Sequence, residues 1–348
     1  MRVLLLGTGV QPIPPPGYGG VERTIAEYAA ALRHAGHEAE ILNEVRQRRG
    51  IDEYWFALHL RKLLTGRSYD VAHASTPVVA NRMAMLGRSY VYTTHSRHWF
   101  ERAGARQGFG YWLERRAVHR ASATVALTDR LARTITAATA RRPPRRLEVI
   151  PIGVDTDRFR PGTDRMGTRA LGVGVILPFK RWDVAAAALR GTGVSLTLAG
   201  PTPDPDYAAR VVAAGESVRL LGEVDDATLT RLYQESDYLV HPSRVELLAG
   251  VVLQGLAAGL PVFGADAVAE LIEEGVSGAC SPPGAGDAEV AARISSGVRA
   301  LLADPERRRR MSDAARQRAL ENFSWPRVVA RHLALYESVM AGPVVSRR

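Results

Sequence analysis

Cysteine and lysine are the scarce residues of this 348-residue chain: one cysteine, Cys280, and two lysines, Lys62 and Lys180, stand against 44 arginines. A single cysteine excludes an intramolecular disulfide and suits a reducing compartment, and a thiol packed as a small hydrophobe is expected there. Long apolar runs are also missing. None approaches the roughly 18 residues of a spanning helix, and the first one, "RVLLLG", stops at glycine and a proline cluster. That is too short for a signal segment and reads as a first strand, so a cytoplasmic protein is expected. Aromatic residues make up 7% of the chain and do not interleave with the clusters "RQRR" (46–49), "RRPPRR" (141–146) and "RRRR" (307–310). Nucleic acid is therefore not an expected partner. A net charge of +10 leaves solvated arginine faces, with contact to an anionic membrane surface as the alternative.

What is present is the composition of a globular protein, 46% apolar and 24% charged. The length suits two domains of about 150 residues each. Short β-rich runs ("RVLLLG", "EAEIL", "DVAHAS", "YVYTTH", "ATVALT", "LEVIPIG") alternate with helical patterns, and a second series follows ("ALGVGVI", "VSLTLAG", "VRLLG", "DYLVHPS", "LPVFGAD"). Alternation of this kind predicts parallel sheets built from β-α units. Residues 153–169 lack a period and read as a linker, and the tail reads as helices, the last with Pro326 near its start. Two doubly wound α/β domains with a helical tail result. Ligands of such sheets bind beyond the carboxyl ends of the strands, and two such domains facing each other would leave a cleft.

Candidate ligand residues lie in the loops after strands. Gly19 and Gly20 follow the first strand and open a helix, where they would either admit a ligand to the backbone or simply turn the chain. Lys180 sits just past a strand and is either a point charge for a phosphate or a surface residue at a helix start. Glu246 precedes an apolar helix whose backbone N–H groups at Leu248, Ala249 and Gly250 would face an anion, with the carboxylate as a flanking acceptor. Gln254 would reach ligand hydroxyls or pair with backbone inside the core. No dinucleotide fingerprint follows any strand, which argues against a dehydrogenase.

The segments "GYGGVERTIAEYAAALRHAGHEAEIL", "YTTHS", "VIPIGVDTDRFRP", "GEVDDATLTRLYQESDYLVHPS", "GLAAGLPV", "LLADPERRRRM" and "FSWPRVVARHLALYESV" occur in one order. In that order the chain resembles the family 4 retaining glycosyltransferases across nearly its whole length. The resemblance implies the GT-B fold: two facing Rossmann-like domains, 1–160 on the acceptor side and 161–325 on the nucleotide-sugar side, with 326–341 crossing back as a helix. It implies a nucleotide-diphosphate sugar as co-substrate, a small-molecule or glycan acceptor, no cofactor and no metal. It places the family's Gly-Gly loop on Gly19 and Gly20, its histidine near the transferred sugar on His95, and its phosphate lysine on Lys180. Its sugar-holding glutamate falls on Glu246 and its base-gripping backbone near Val224; His98 and His241 are left as structural.

Several family positions are altered. Val175 stands where an arginine is usual, "LLA" (247–249) replaces Gly-Phe-Gly, Gln254 replaces a second glutamate, and Ile152 replaces an asparagine. Arg181 and Arg244 are candidate replacements for the lost phosphate contact. Gln254 offers one neutral acceptor where a glutamate offers two charged ones, which predicts altered ribose binding. Two rival readings follow: a degenerate binding protein that kept the fold, and a metal-dependent transferase using Asp204 and Asp206 or Asp155 and Asp157.

Overall fold

The computed structural model describes residues 1–17, 19–46, 51–95, 99, 108–163, 165–246 and 249–341. The chain forms two compact units, Met1–Gly153 together with the segment from Trp325 onwards, and Val154–Ser324.

The first unit is built on a six-stranded parallel sheet of β1 (Arg2–Leu6), β2 (Glu38–Leu42), β3 (Val71–Ala74), β4 (Val91–Thr93), β5 (Ala123–Ala126) and β6 (Leu147–Val149), in the order β2-β1-β3-β4-β5-β6. β3, β4 and β5 are buried throughout, as expected of strands covered on both faces, and this is why they read as apolar runs without alternation. α1 (Gly20–His34) buries Ile25, Tyr28, Ala29 and Leu32, the spacing of a single helical stripe. α2 (Asp52–Leu63), α3 (Pro77–Met85), α4 (Phe109–Arg120) and α5 (Asp129–Ala138) make the other crossovers. Thr128 caps α5, its Oγ1 accepting from the Leu131 amide at 3.1 Å. The last helix, α12 (Trp325–Met340), packs against α1 and turns Val328, Val329, Leu335 and Tyr336 inward.

The second unit repeats the plan with β7 (Arg169–Val173), β8 (Ser195–Ala199), β9 (Val218–Leu220), β10 (Tyr238–His241), β11 (Val262–Gly264) and β12 (Gly278–Cys280). All pairs are parallel and the order is β12-β11-β10-β7-β8-β9, so the chain reverses direction across the sheet between β7 and β10. Its helices are α6 (Trp182–Leu189), α7 (Pro205–Ala214), α8 (Asp226–Glu235), α9 (Gly250–Ala257), α10 (Asp287–Ala303) and α11 (Pro305–Asn322). Asp204, Asp225 and Asp304 cap α7, α8 and α11, accepting from Tyr207, Thr228 and Arg307 amides at 2.9, 2.7 and 2.8 Å.

Two elements differ from the sequence reading. β12 lacks the β-branched or aromatic run that signals a strand. Its glycine is needed because a Cβ at Gly278 would lie 2.1 Å from the Val262 carbonyl oxygen. The segment 153–169 is not a free linker. Val154 pairs with Ser324 and donates to the Phe323 carbonyl at 2.8 Å, and Arg165 reaches the Gly259 carbonyl at 2.8 Å. Arginine supplies planar, multi-donor side chains to these carbonyls, which gives part of the arginine excess a structural use. Cys280 is buried, and burial pushes its thiol up to about 12, so it behaves as a packed hydrophobe. Among the described residues no helix is long and apolar enough to cross a membrane.

Candidate functional site

In the second unit the point where the chain reverses lies between the carboxyl ends of β7 and β10, the place where doubly wound sheets hold ligands. Beyond β7, Gly174 (φ +145°) turns the chain in a conformation that favours glycine, beside the Lys180 and Trp182 side chains. Ile176 N–H then donates to the Pro201 carbonyl at 2.8 Å, and Trp182 Nε1 donates to the Val175 carbonyl at 3.0 Å. These bonds fold residues 178–180 into one 3₁₀ turn that delivers Lys180 to the sheet edge.

Lys180 is buried, and its Nζ donates to Glu246 Oε1 at 2.5 Å. His241, the last residue of β10 and wholly buried, donates from Nε2 to the same oxygen at 2.8 Å. Burial would raise the Glu246 carboxyl, but the His241 and Lys180 contacts outweigh it and hold it at about 2. Burial also lowers the His241 imidazole against the pull of the carboxylate. Near neutral pH the cluster is therefore an ammonium–carboxylate pair steadied by a neutral histidine.

The two loops that carry this cluster are stitched together. Arg244 N–H donates to the Phe179 carbonyl at 3.0 Å, and Arg181 Nε donates to the Pro242 carbonyl at 2.6 Å. Arg181 takes the left-handed conformation (φ 57°) and also reaches Asp287 at 3.2 Å, while Arg244 grips both oxygens of Asp287 at 2.9 and 3.0 Å. The two arginines named as phosphate replacements thus have a carboxylate partner at the first residue of α10, and Arg181 is buried against it. Asp287 lies too far along the chain for any sequence signal to have joined it to them.

The helix α9 starts at Gly250 after Ala249, and no side chain among the described residues caps it. Its first N–H groups are the kind that attract an anion; Leu248 lies outside the described residues. Gln254 accepts at Oε1 from the Tyr233 hydroxyl at 3.0 Å, so half of its amide is already engaged in the protein. Val224 is half-buried after β9, in a loop turned by Gly222 (φ +70°). Of the two Asp pairs considered for a metal, Asp204 caps α7, and Asp155 accepts from the Asp157 and Arg158 amides at 3.1 and 2.9 Å.

In the first unit His95 follows β4. Glu114, wholly buried on α4, accepts from the Tyr92 and Thr94 hydroxyls at 2.8 and 3.1 Å and pins the strand end that presents it. His95 lines a cavity of about 40 Å³ at the carboxyl edge of the sheet, with His73, His332, Thr93, Ile150 and Trp325 among its walls. His73 bonds Tyr336 Oη at 2.5 Å and Thr93 Oγ1 at 2.7 Å, and Tyr336 meets Tyr28 hydroxyl to hydroxyl at 2.9 Å. Burial lowers all three imidazoles, His95 and His332 to about 4, so they are neutral at pH 7. Sequence reasoning reached His95 and missed His73 and His332; His73, at the end of a strand beside the chain reversal, carried a positional signal. Gly19 closes on Pro15, where a Cβ would lie 2.9 Å away, and Gly20 begins α1 in open space. The loop before them is fixed by Thr8 Oγ1 donating to Glu22 at 2.7 Å.

Profiles of two families match the chain: one described as "Glycosyltransferase Family 4" over residues 18–158, the other as "Glycosyl transferases group 1" over residues 180–300. The alpha-maltose-1-phosphate synthase of Mycolicibacterium smegmatis is 26% identical, the match covering 98% of this chain and 100% of that protein. Among solved structures, sucrose-phosphate synthase from Thermosynechococcus elongatus superposes with a TM-score of 0.81 at 17% identity, covering 98% of this chain and 100% of that one. Anabaena Alr3699/HepE, solved in complex with UDP and glucose, gives 0.71 at 18% identity, covering 97% and 99%. These likenesses share the plan of two Rossmann-like units.

Proposed function

The chain belongs to the group 1, family 4 glycosyltransferases, and from that membership we propose that it moves a sugar from a nucleoside-diphosphate sugar to an acceptor hydroxyl with retention at the anomeric carbon. The observation that carries the donor half is the Lys180–Glu246–His241 cluster where the second sheet reverses. An ammonium and a carboxylate side by side match a diphosphate joined to a polyhydroxylated ring. Lys180 would exchange its carboxylate for the diphosphate, and Glu246, ionised far below neutral pH, would accept from a sugar hydroxyl. The α9 N-terminus adds backbone donors to the same anion. The likeness to a protein solved with UDP and glucose supports a nucleotide-sugar donor.

In the reaction the bond from the anomeric carbon to the diphosphate oxygen breaks as the bond to the acceptor oxygen forms on the same face. The acceptor's proton passes to the departing phosphate, which needs no enzymic nucleophile and no metal. His95, neutral at pH 7, is assigned to the transferred sugar, and the largely apolar cavity around it supports an uncharged acceptor portion. Natural products, glycolipids and envelope glycans all offer such a portion.

The test is calorimetric titration with UDP, GDP, ADP, dTDP and CDP, followed by turnover of the matching sugar nucleotide with EDTA present. Micromolar binding to one nucleotide, abolished in Lys180→Ala, together with a product of retained configuration, is expected. Absence of binding to all five at millimolar concentration would leave the altered positions Val175 and Gln254 as marks of a binding protein without turnover.

A further inference from the structure

One face of the first unit carries a surface that the transfer reaction does not use. Helices α2, α3 and α4 lie side by side on the sheet, α3 touching both neighbours. Their outward stripes hold large apolar side chains at helical spacing: Ile51 at the N-cap of α2, Tyr54 and Leu58 along it, and Phe109 and Trp112 on α4. Leu58 is 57% exposed, Phe109 63% and Trp112 52%. In a parallel sheet the crossover helices begin at the carboxyl edge, so Ile51, Tyr54, Phe109 and Trp112 gather at that edge, stacked in the case of Phe109 on Trp112 with ring centres 5.8 Å apart.

The charge that these helices turn outward is of one sign. Arg61, Lys62, Arg82, Arg115, Arg116 and Arg120 are their six fixed cations. Their three acids face inward. Asp52 and Glu114 are buried, and Glu53 is half-buried, its carboxyl raised above the ordinary range chiefly by burial. Arg116 lies over the Trp112 ring at 5.5 Å and Arg115 over Tyr111 at 6.0 Å, which keeps guanidinium groups beside the exposed aromatics. Aromatic and aliphatic tips at one end of a helix row, with arginines behind them and no outward acid, match the layered chemistry of an anionic lipid interface: apolar groups enter the acyl boundary while cations meet the headgroups. A folded acidic protein would be matched by the charge but would leave the projecting Phe109 and Trp112 without a fluid layer to enter.

We propose that the outer face of α2, α3 and α4 docks on an anionic membrane surface, Phe109 and Trp112 inserting at the carboxyl edge of the sheet. That edge also carries the His95 cavity, so docking would bring it towards a lipid-borne acceptor. The docking itself does not depend on the transferase reading and is tested without turnover.

The full chain is floated with vesicles of phosphatidylglycerol and phosphatidylcholine in equal parts, and with phosphatidylcholine alone. Binding to the anionic vesicles only, weakened by salt, is expected. The bound fraction should fall about tenfold in Phe109→Ser/Trp112→Ser and by a similar factor in Arg115→Gln/Arg116→Gln. It should be unchanged in Arg307→Gln/Arg310→Gln, which removes exposed charge from the other unit. Quenching of tryptophan fluorescence by brominated lipid, lost in Trp112→Phe, reports insertion even if a double variant fails to fold. The proposal is overturned if anionic vesicles are not bound, or if Arg307→Gln/Arg310→Gln loses as much binding as the helix-face variants. It is equally overturned if Phe109→Ser/Trp112→Ser binds as wild type and an anionic polymer competes fully, since charge alone would then account for the attraction.

Discussion

Lys180, Glu246 and His241 show how residue chemistry is decided by a few ångströms. Lys180→Ala removes a charge-assisted donor worth about 1.5–3 kcal/mol, so kcat/KM with the sugar nucleotide is expected to fall about ten- to a hundredfold. His241→Phe would leave Glu246 without its neutral donor. The carboxyl is then expected to rise from about 2 towards its ordinary value of 4.5. The acid limb of the kcat/KM profile should move up with it, and His241→Gln, which keeps an N–H, should move it less. An unchanged profile in His241→Phe would show that Lys180 alone holds the carboxylate. Gly153 is a residue-scale constraint of a different kind: a Cβ there would stand 2.2 Å from the Trp325 indole. Gly153→Ala is expected to cost about 1–3 kcal/mol by overpacking and to lower Tm, which a thermal melt checks.

At the scale of elements, helix ends and strand ends decide where chemistry can sit. Arg316 Nη1 donates to the Thr156, Phe159 and Ala257 carbonyls at 2.8, 2.9 and 2.6 Å, closing α9 at its carboxyl end and holding the segment that follows Val154. Arg316→Met would strand these carbonyls and is expected to lower stability by about 1–3 kcal/mol in denaturant unfolding. Because α9 also supplies the uncapped N-terminus beside Glu246, the same variant should weaken nucleotide binding, and wild-type affinity would separate the two ends of the helix. Gly278 marks a strand end that leaves no room for a side chain, and Gly174 a loop whose positive φ favours glycine.

At the scale of the whole molecule, acid sensitivity follows from burial. His332 and His95 sit at about 4, against an ordinary value of 6.5 that the unfolded chain regains. Between those values the unfolded state binds more protons, so stability is complete above about pH 6.5 and declines as pH falls towards 4. His332 is buried, and its share is about 3 kcal/mol at the low end of that window. Glu246, lowered to about 2, has the same sign in a lower window: its contribution is present above 4.5 and lost as pH falls through about 2. Chemical denaturation at pH 7, 5.5 and 4.5 should show a falling ΔG whose slope is reduced in His332→Phe; an unchanged slope would place His332 outside the titrating set. Tm should also rise with the cognate nucleoside diphosphate, by an amount that grows with the logarithm of its concentration.

The sequence by itself determined the two α/β units and most of their strands, because apolar runs and helical stripes are local patterns that survive in one dimension, and its loop motifs and family resemblance singled out Lys180, Glu246 and His95 as candidates. Tertiary structure alone decided what those residues meet. Arg181 and Arg244 read as candidate phosphate contacts until Asp287, more than 40 residues on, lies against both. His241 read as structural until its ring points at Glu246, and His73 and His332, far apart in the chain, share one cavity. The one-signed face of α2, α3 and α4 likewise emerges only when burial takes its acids inward. Partnership depends on which side chains a fold brings within hydrogen-bonding reach and which it removes from water, and neither is a property of sequence spacing.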